Sequence, residues 1–352
     1  MVEYLSGNRI QGSSTLTSSP PQTSWKELAR ITAGSGGSSE LTTSAFTAKD
    51  NLMILYNSIG ADPQMRVGYS SIDTGGNYCQ RSSENGGSDG TQTSSPHNAY
   101  WYVNGGAGAT GNEHVFGVTE AVNVSAQEKL FTLNSADNAS GTGAGTAPGR
   151  YERAMKWANT SNQINIARMF SSGTMAEGSE MVVLGMDNDE ADSGTNFWQE
   201  LVNVELSATA NEINSGTFTA KKYLMIELQV IADGSISGSD LQFNGDTGSN
   251  YARRYRTGGD SEATGTSEAT LGGGTGGDRG YNTWFIVNVA DKEKLAIGEA
   301  VWGSNGAGNA PSRRELIGKW ANTSNQITSI KIKENGSGGW ASGSTLKVWG
   351  AD

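Results

Sequence analysis

Cysteine is almost absent from this chain of 352 residues: Cys79 stands alone, which excludes an intrachain disulfide and any zinc site built on clustered thiolates. Proline is scarce, at 6, and only 17% of the residues are charged. Basic excess is lacking as well. Lys and Arg number 25 against 36 Asp and Glu, a formal net charge of −11, so there is no electropositive footprint for a nucleic-acid backbone or an anionic membrane. No apolar run reaches the length of about 18 residues that a bilayer-crossing helix needs. The opening Met1-Val-Glu-Tyr-Leu-Ser-Gly7 lacks the basic and apolar regions of a Sec signal, so synthesis in a cytoplasm is expected. Histidine occurs twice, as His97 and His114, in neither case at a metal-ligand spacing or beside a nucleophile signature.

Glycine is abundant, with 49 residues, and runs of Ser, Thr, Asn and Gly separate short apolar segments. That is the composition of many short strands joined by many turns. The 9 Trp, 11 Tyr and 8 Phe supply the core formers that a disordered chain lacks.

Laid on itself, the chain repeats. Phe46-Thr-Ala-Lys-Asp-Asn-Leu-Met-Ile54 returns as Phe218-Thr-Ala-Lys-Lys-Tyr-Leu-Met-Ile226, and Asp73-Thr-Gly-Gly-Asn-Tyr78 as Asp246-Thr-Gly-Ser-Asn-Tyr251. Asn123-Val-Ser-Ala-Gln-Glu-Lys-Leu130 returns as Asn288-Val-Ala-Asp-Lys-Glu-Lys-Leu295. The closest match is Lys156-Trp-Ala-Asn-Thr-Ser-Asn-Gln-Ile164, repeated without change as Lys319-Trp-Ala-Asn-Thr-Ser-Asn-Gln-Ile327. Matched blocks in the same order mean an internal duplication, and copies this long are compact domains, not solenoid units. The organisation read from this is an N-terminal arm at 1–24, copy one at 25–186, an acidic linker at 187–197 and copy two at 198–352, with Trp25 and Trp198 opening the copies.

Period-two alternation marks the strands. Leu224, Ile226, Leu228 and Val230 alternate with Tyr223, Met225, Glu227 and Gln229. Residues 199–206, 213–218, 250–255, 283–289, 295–301, 313–320, 327–333 and 345–349 read the same way, as do 52–57, 97–103, 114–118, 129–133 and 180–184 in copy one. The Asn-Thr-Ser-Asn block reads as a hairpin turn, and 125–129 and 291–294 as single helical turns. The expected fold class is all-β, two tandem β-sandwiches of jelly-roll-like kind with a short N-terminal arm.

The residues carry no catalytic constellation, so the reading is non-enzymatic, with no cofactor and no metal. Asp187-Asn-Asp-Glu-Ala-Asp192 has the carboxylate density of a calcium loop but not its spacing, and is read as a solvated linker. The glycine run at 271–277 is read as a loop and not a phosphate cradle, since no helix with a Lys follows it. Arg150, Glu152 and Lys156 recur as Arg313, Glu315 and Lys319 at even spacing, which places them on one sheet face, a candidate contact face. Against it stands a plain solvent face with cross-strand ion pairs. Trp157 and Trp320 then point the other way, into the core. Tyr100, Trp101 and Tyr102 form a candidate glycan platform.

The quoted blocks, with Trp25-Lys-Glu-Leu28, Gly306-Ala-Gly-Asn-Ala-Pro-Ser-Arg-Arg-Glu315, the closing Gly343-Ser-Thr-Leu-Lys-Val-Trp-Gly-Ala-Asp352 and the opening Tyr4-Leu-Ser-Gly-Asn-Arg-Ile-Gln-Gly12, resemble virion structural proteins of tailed viruses of marine bacteria and archaea. The resemblance implies a capsid-associated, decoration or tail-appendage protein located in the virion, a homo-oligomer that also meets other virion proteins. The arm, with Tyr4, Leu5 and Ile10 as its apolar anchors, is expected to reach a neighbouring subunit. Two other functions fit the same sequence: a carbohydrate-binding receptor or adhesion module meeting a host surface glycan, and a self-polymerising extracellular filament subunit.

Overall fold

The structure, a computed structural model, describes residues 4–5, 8–9, 25–94, 99–104, 114–138, 140–187, 196–234, 238–274, 276–336 and 338–352. No α-helix occurs among them, and the named elements are all strands. The backbone of β1 (Tyr4–Leu5) pairs with β2 (Asn8–Arg9). The chain divides into two compact units, one of Met1–Ala139 with Gly149–Phe197, the other of Ser140–Pro148 with Trp198–Asp352.

The first unit contains β3 (Lys26–Thr32), β4 (Ser38–Thr42), β5 (Asn51–Ile59), β6 (Gln64–Tyr69), β7 (Ser71–Ile72), β8 (Tyr78–Glu84), β9 (Gly90–Gln92), β10 (Trp101–Tyr102), β11 (His114–Val122), β12 (Lys129–Asp137), β13 (Gly149–Trp157), β14 (Ile166–Met175) and β15 (Glu180–Met186). The second contains β16 (Gln199–Glu205), β17 (Glu212–Thr217), β18 (Tyr223–Asp233), β19 (Ser239–Phe243), β20 (Tyr251–Thr257), β21 (Ala263–Glu268), β22 (Leu271–Gly272), β23 (Arg279–Val287), β24 (Lys294–Gly303), β25 (Ser312–Trp320), β26 (Ser329–Glu334), β27 (Gly339–Trp340) and β28 (Thr345–Ala351).

Each unit is an antiparallel sandwich, and the strand order is the same in both. The large sheet of the first runs β3-β15-β5-β11-β12-β13-β8-β9, and that of the second β16-β28-β18-β23-β24-β25-β20-β21. The small sheets run β10-β6-β14-β4 and β22-β19-β26-β17. Successive strands β3 to β6 alternate between the two sheets, which is the jelly-roll-like habit. Inner faces interdigitate: Leu41, Met65, Val67, Ala167 and Met169 of the small sheet share one core with Leu52, Ile54, Phe131, Met155 and Trp157 of the large sheet. The second core repeats this with Leu241, Phe243, Ile330 and Ile332 against Leu224, Ile226, Trp284 and Trp320.

The most repeated blocks turn out to be staples between the sheets. Asn123 and Asn288 are fully buried. Asn123 Oδ1 accepts from Ile164 N–H at 2.6 Å, and its Nδ2 donates to Lys49 O at 2.9 Å. Asn288 makes the same bonds to Ile327 N–H at 2.7 Å and Lys221 O at 2.9 Å. Trp157 Nε1 donates to Asp73 at 2.8 Å and Trp320 Nε1 to Asp246 at 2.7 Å, so each core tryptophan pins the turn that carries Asp-Thr-Gly. Tyr78 and Tyr251 close those turns with hydroxyl bonds to the carbonyls of Asp73 and Asp246, at 2.8 and 3.2 Å.

The buried Lys129 donates to Gln127 O and Asn159 O, and the buried Lys294 to Ala290 O, Lys292 O and Asn322 O. An ammonium with three donors fits such a carbonyl cradle. Identity between the copies is therefore densest where side chains satisfy buried backbone, which is a demand of the fold.

Two local expectations are corrected. The Asn-Thr-Ser-Asn block is not a hairpin: it carries the chain from β13 in the large sheet to β14 in the small one. Asn159 Oδ1 caps Ser161 N–H and Asn162 N–H, both at 2.9 Å, without left-handed backbone. Residues 125–129 and 291–294 form turns and not helical turns, because Lys129 and Lys294 already begin or abut strands and tie their ammonium groups to the turn carbonyls. The run at 271–277, read as a loop, begins as strand β22 (Leu271–Gly272), and two of its glycines answer to close packing: a Cβ at Gly272 would lie 1.8 Å from Arg253 Nη1, and one at Gly274 2.2 Å from the Trp302 ring.

Candidate functional site

The outer face of the five-stranded sheet of the first unit gathers aromatic rings and guanidinium groups. Alternation puts Met65 and Val67 of β6, and Ala167 and Met169 of β14, into the core, which leaves Gln64, Arg66, Ile166, Arg168 and Phe170 on the outside. Register then sets two rungs. Tyr102, Gln64, Phe170 and Glu40 stand across β10, β6, β14 and β4, and Arg66, Arg168 and Thr42 form the next rung.

Tyr100 is the hub. Its ring meets Tyr102 edge-on at 5.2 Å and Phe170 edge-on at 5.6 Å, and its hydroxyl shares a hydrogen bond with the Tyr102 hydroxyl at 3.1 Å. The Arg66 guanidinium lies over Phe170 at 4.5 Å and over Tyr100 at 5.7 Å, and its Nε donates to Ala99 O at 2.9 Å. Arg168 pairs with Glu40 at 3.0 Å and donates to Thr42 Oγ1 at 2.9 Å. The Tyr102 hydroxyl is pushed up to about 12, first by its hydrogen bond with Tyr100 and then by burial, so it stays protonated and able to donate at neutral pH. The three rings are half-buried. Such a surface offers apolar ring area to C–H groups and, around it, phenol, amide and guanidinium donors to hydroxyls.

The second unit has the same sheet without the rings. Asp240, Gln242, Lys331 and Lys333 occupy the places of Gln64, Arg66, Arg168 and Phe170, and Gly272 stands opposite Asp240 as Tyr102 stands opposite Gln64. The sandwich therefore forms without this cluster.

Of the expected platform, the structure brings Tyr100 and Tyr102 together and removes Trp101. Trp101 is fully buried, packs on Phe131 and Tyr78, and donates to Cys79 O and Lys156 O, because its position on β10 faces inward. Phe170 and Arg66 were missed. The signal for them was an aromatic residue on the polar side of the β14 alternation, about 70 residues away from Tyr100.

The expected contact face is corrected in part: Arg150 and Lys319 are buried within their own units, Lys319 donating to Gly141 O at 2.9 Å, so these two do not stand on an open face. Arg150 pairs with Glu152 and Arg313 with Glu315 along the same strand, while Lys156 pairs with Glu128 at 3.0 Å and Lys319 with Glu293 at 3.5 Å.

The side chains of Tyr4 and Leu5, with Ile10 and His97, lie outside the described residues, as do 188–195 of the acidic stretch. Asp187 takes Lys49 Nζ at 2.8 Å and Asp50 N–H at 3.1 Å. His114 is a buried strand residue whose Nδ1 lies 3.1 Å from Asn57 Oδ1. Among the described residues no three His, Cys, Asp or Glu side chains gather as a metal site.

No protein-family model matches the chain, and no curated protein matches it at a significant level. Among solved structures it is similar to domains LG4-5 of the mouse laminin alpha1 chain, at 10% identity over 95% of this chain and 92% of that one, with a TM-score of 0.21. It is similar also to human GIVD cytosolic phospholipase A2, at 7% identity over 78% of this chain and 31% of that one, TM-score 0.10. An acyl-CoA hydrolase from Agrobacterium tumefaciens gives 7% identity over 72% and 83%, TM-score 0.12. Scores this low carry no argument about function.

Proposed function

We propose that this protein works by binding and not by catalysis, as a tandem β-sandwich whose first copy recognises a saccharide on the outer face of its small sheet. The observation that carries the reading is the Tyr100, Tyr102, Phe170 and Arg66 cluster, present on one copy and replaced on the other. A pyranose ring has an apolar C–H face for the aromatic rings and hydroxyls for Arg66, Gln64 and the tyrosine phenols. A glycan array with the full chain tests it. Binding should fall at least roughly tenfold, about 1.4 kcal/mol, in Tyr102→Ala and in Phe170→Ala, and stay unchanged in Lys333→Ala on the second copy. An array without binding above background sinks the reading.

A second reading, a structural component of a virus particle, is favoured by the sequence blocks that resemble such proteins. It is compatible with the first, since particle surfaces carry receptor-binding modules. Electron microscopy of particles labelled with antibody to this chain decides it: no label on any particle removes it.

A further inference from the structure

The large sheet is finished differently in the two copies. In the first unit Val122, Leu130, Lys156 and Cys79 stand across β11, β12, β13 and β8 on the side away from the core. Val122 is 58% exposed and Leu130 63%, and a groove of about 510 Å³ runs beside them, lined by Trp25, Thr132 and Ala154 among others. Val122 and Leu130 are paired across β11 and β12, so two large apolar side chains stand exposed side by side next to this groove.

In the second unit the equivalent row is Val287, Leu295, Lys319 and Ala252, and every member is 0% exposed. There the unit's own segment Ser140–Pro148 bonds to the row and its surroundings. Lys319 Nζ donates to Gly141 O at 2.9 Å, Gly143 N–H to the Glu293 carboxylate, Arg254 Nε to Pro148 O at 2.7 Å and Ser267 N–H to Ala144 O at 2.7 Å.

Both sides of that contact exist a second time in the chain. On the receiving side, Arg81, Glu128 and Lys156 occupy the places of Arg254, Glu293 and Lys319. Lys156 and Glu128 pair at 3.0 Å with side chains 36% and 43% exposed, and Arg81 meets Asp89 at 3.6 Å, an exposed pair that costs little to open. On the giving side, residues 304–311, Ser-Asn-Gly-Ala-Gly-Asn-Ala-Pro, repeat residues 141–148, Gly-Thr-Gly-Ala-Gly-Thr-Ala-Pro. The backbone repeats as well: Gly143 and Gly306 have φ of 79° and 93°, and their carbonyls accept from Thr146 N–H at 3.4 Å and Asn309 N–H at 3.1 Å. Every residue from 304 to 311 is exposed.

We propose that residues 304–311 of one molecule dock on the Arg81, Val122, Glu128, Leu130 and Lys156 face of a second copy of this chain, joining molecules head to tail. Lys156 Nζ then donates to Ser304 O, Gly306 N–H to Glu128 and Arg81 to Pro311 O. Leu130 and Val122 lose their exposure. The contact is heterologous, since the giving and receiving surfaces differ, so it propagates into a ring or an open filament. It stands independently of the saccharide face, which lies on the other sheet.

Sedimentation of the full chain over a concentration series to roughly 0.1 mM tests it. The expected result is a mass that climbs past the monomer. Leu130→Asp disables the receiver and Gly306→Val the giver, so each alone should associate at least roughly tenfold more weakly. Mixed in equal amounts they should form a one-to-one complex, because each retains the half the other lacks. Should Leu130→Asp melt early, the charge reversal Lys156→Glu replaces it as the disabled receiver. A wild-type chain that stays monomeric, association untouched by either substitution, or a mixture that fails to pair while wild type assembles would each overturn the proposal.

Discussion

Asn288→Ala removes one side chain whose three bonds join two sheets. Oδ1 accepts from Ile327 N–H at 2.7 Å, and Nδ2 donates to Lys221 O at 2.9 Å and to Ile327 O at 3.2 Å. Ile327 is fully buried, so its N–H meets no water once the acceptor is gone. A net hydrogen bond is worth about 1 kcal/mol, and a buried amide left unsatisfied costs about 1–3 kcal/mol, so the loss should be about 3 kcal/mol. For a unit of this size that lowers the melting temperature by about 6–12 °C. Urea unfolding of the full chain followed by tryptophan fluorescence reads it, with the loss confined to the transition of the second unit. Asn123→Ala should do the same to the first. Asn322→Ala is the control: its bonds to Ser324 and Asn325 N–H lie at an exposed turn where water substitutes, so it should cost about 1 kcal/mol or less. If Asn288→Ala costs no more than Asn322→Ala, the staple reasoning is refuted.

Acid stability should depend on Asp73 and Asp246. Burial raises both carboxyls, but the hydrogen bonds from Trp157, Asn77 and Gly75, and from Trp320, Gly248 and Asn250, together outweigh it and hold them below the usual range. A depressed folded value stabilises above the unfolded pKa of about 3.9 and loses that contribution as pH falls through the folded value. Asp246→Asn should therefore flatten the fall of the urea midpoint between about pH 4 and 2. Lys294 acts at the other end of the scale: burial pushes its ammonium down to about 8, against 10.5 for the ordinary group. The unfolded chain binds the extra proton between those values, so stability should rise with pH across that window, and Lys294→Met should abolish the rise in urea midpoints. Tyr100→Phe should bring the Tyr102 phenol down from about 12, since its bond to Tyr100 is the main cause of the shift, and an ultraviolet phenolate titration that shows no change would contradict the pairing. Gly274→Val forces a side chain onto the Trp302 ring and should cost the second unit about 1–3 kcal/mol in thermal melts.

The sequence by itself determined what depends on local pattern and on self-comparison. Alternation along β18 and β25 declared strands because side chains on a pleated chain reverse face at each residue. The matched blocks declared two copies, and their common strand order is what two similar sequences under the same packing demands produce. Trp157 and Trp320 were legible as core because one residue of offset from polar neighbours puts a ring on the opposite face.

What only the tertiary structure decided is which distant residues share a face. Phe170 reaches Tyr100 because β14 crosses to the small sheet and pairs with β6, a register that no local window contains. Trp101 left the platform for the same reason, since a two-residue strand is too short to show its own alternation. Chemically alike, Lys156 and Lys319 sit in identical nine-residue blocks, yet one is half-buried and the other fully buried. Burial is set by what covers a surface, and for Lys319 that includes the carbonyl of Gly141, far away along the chain.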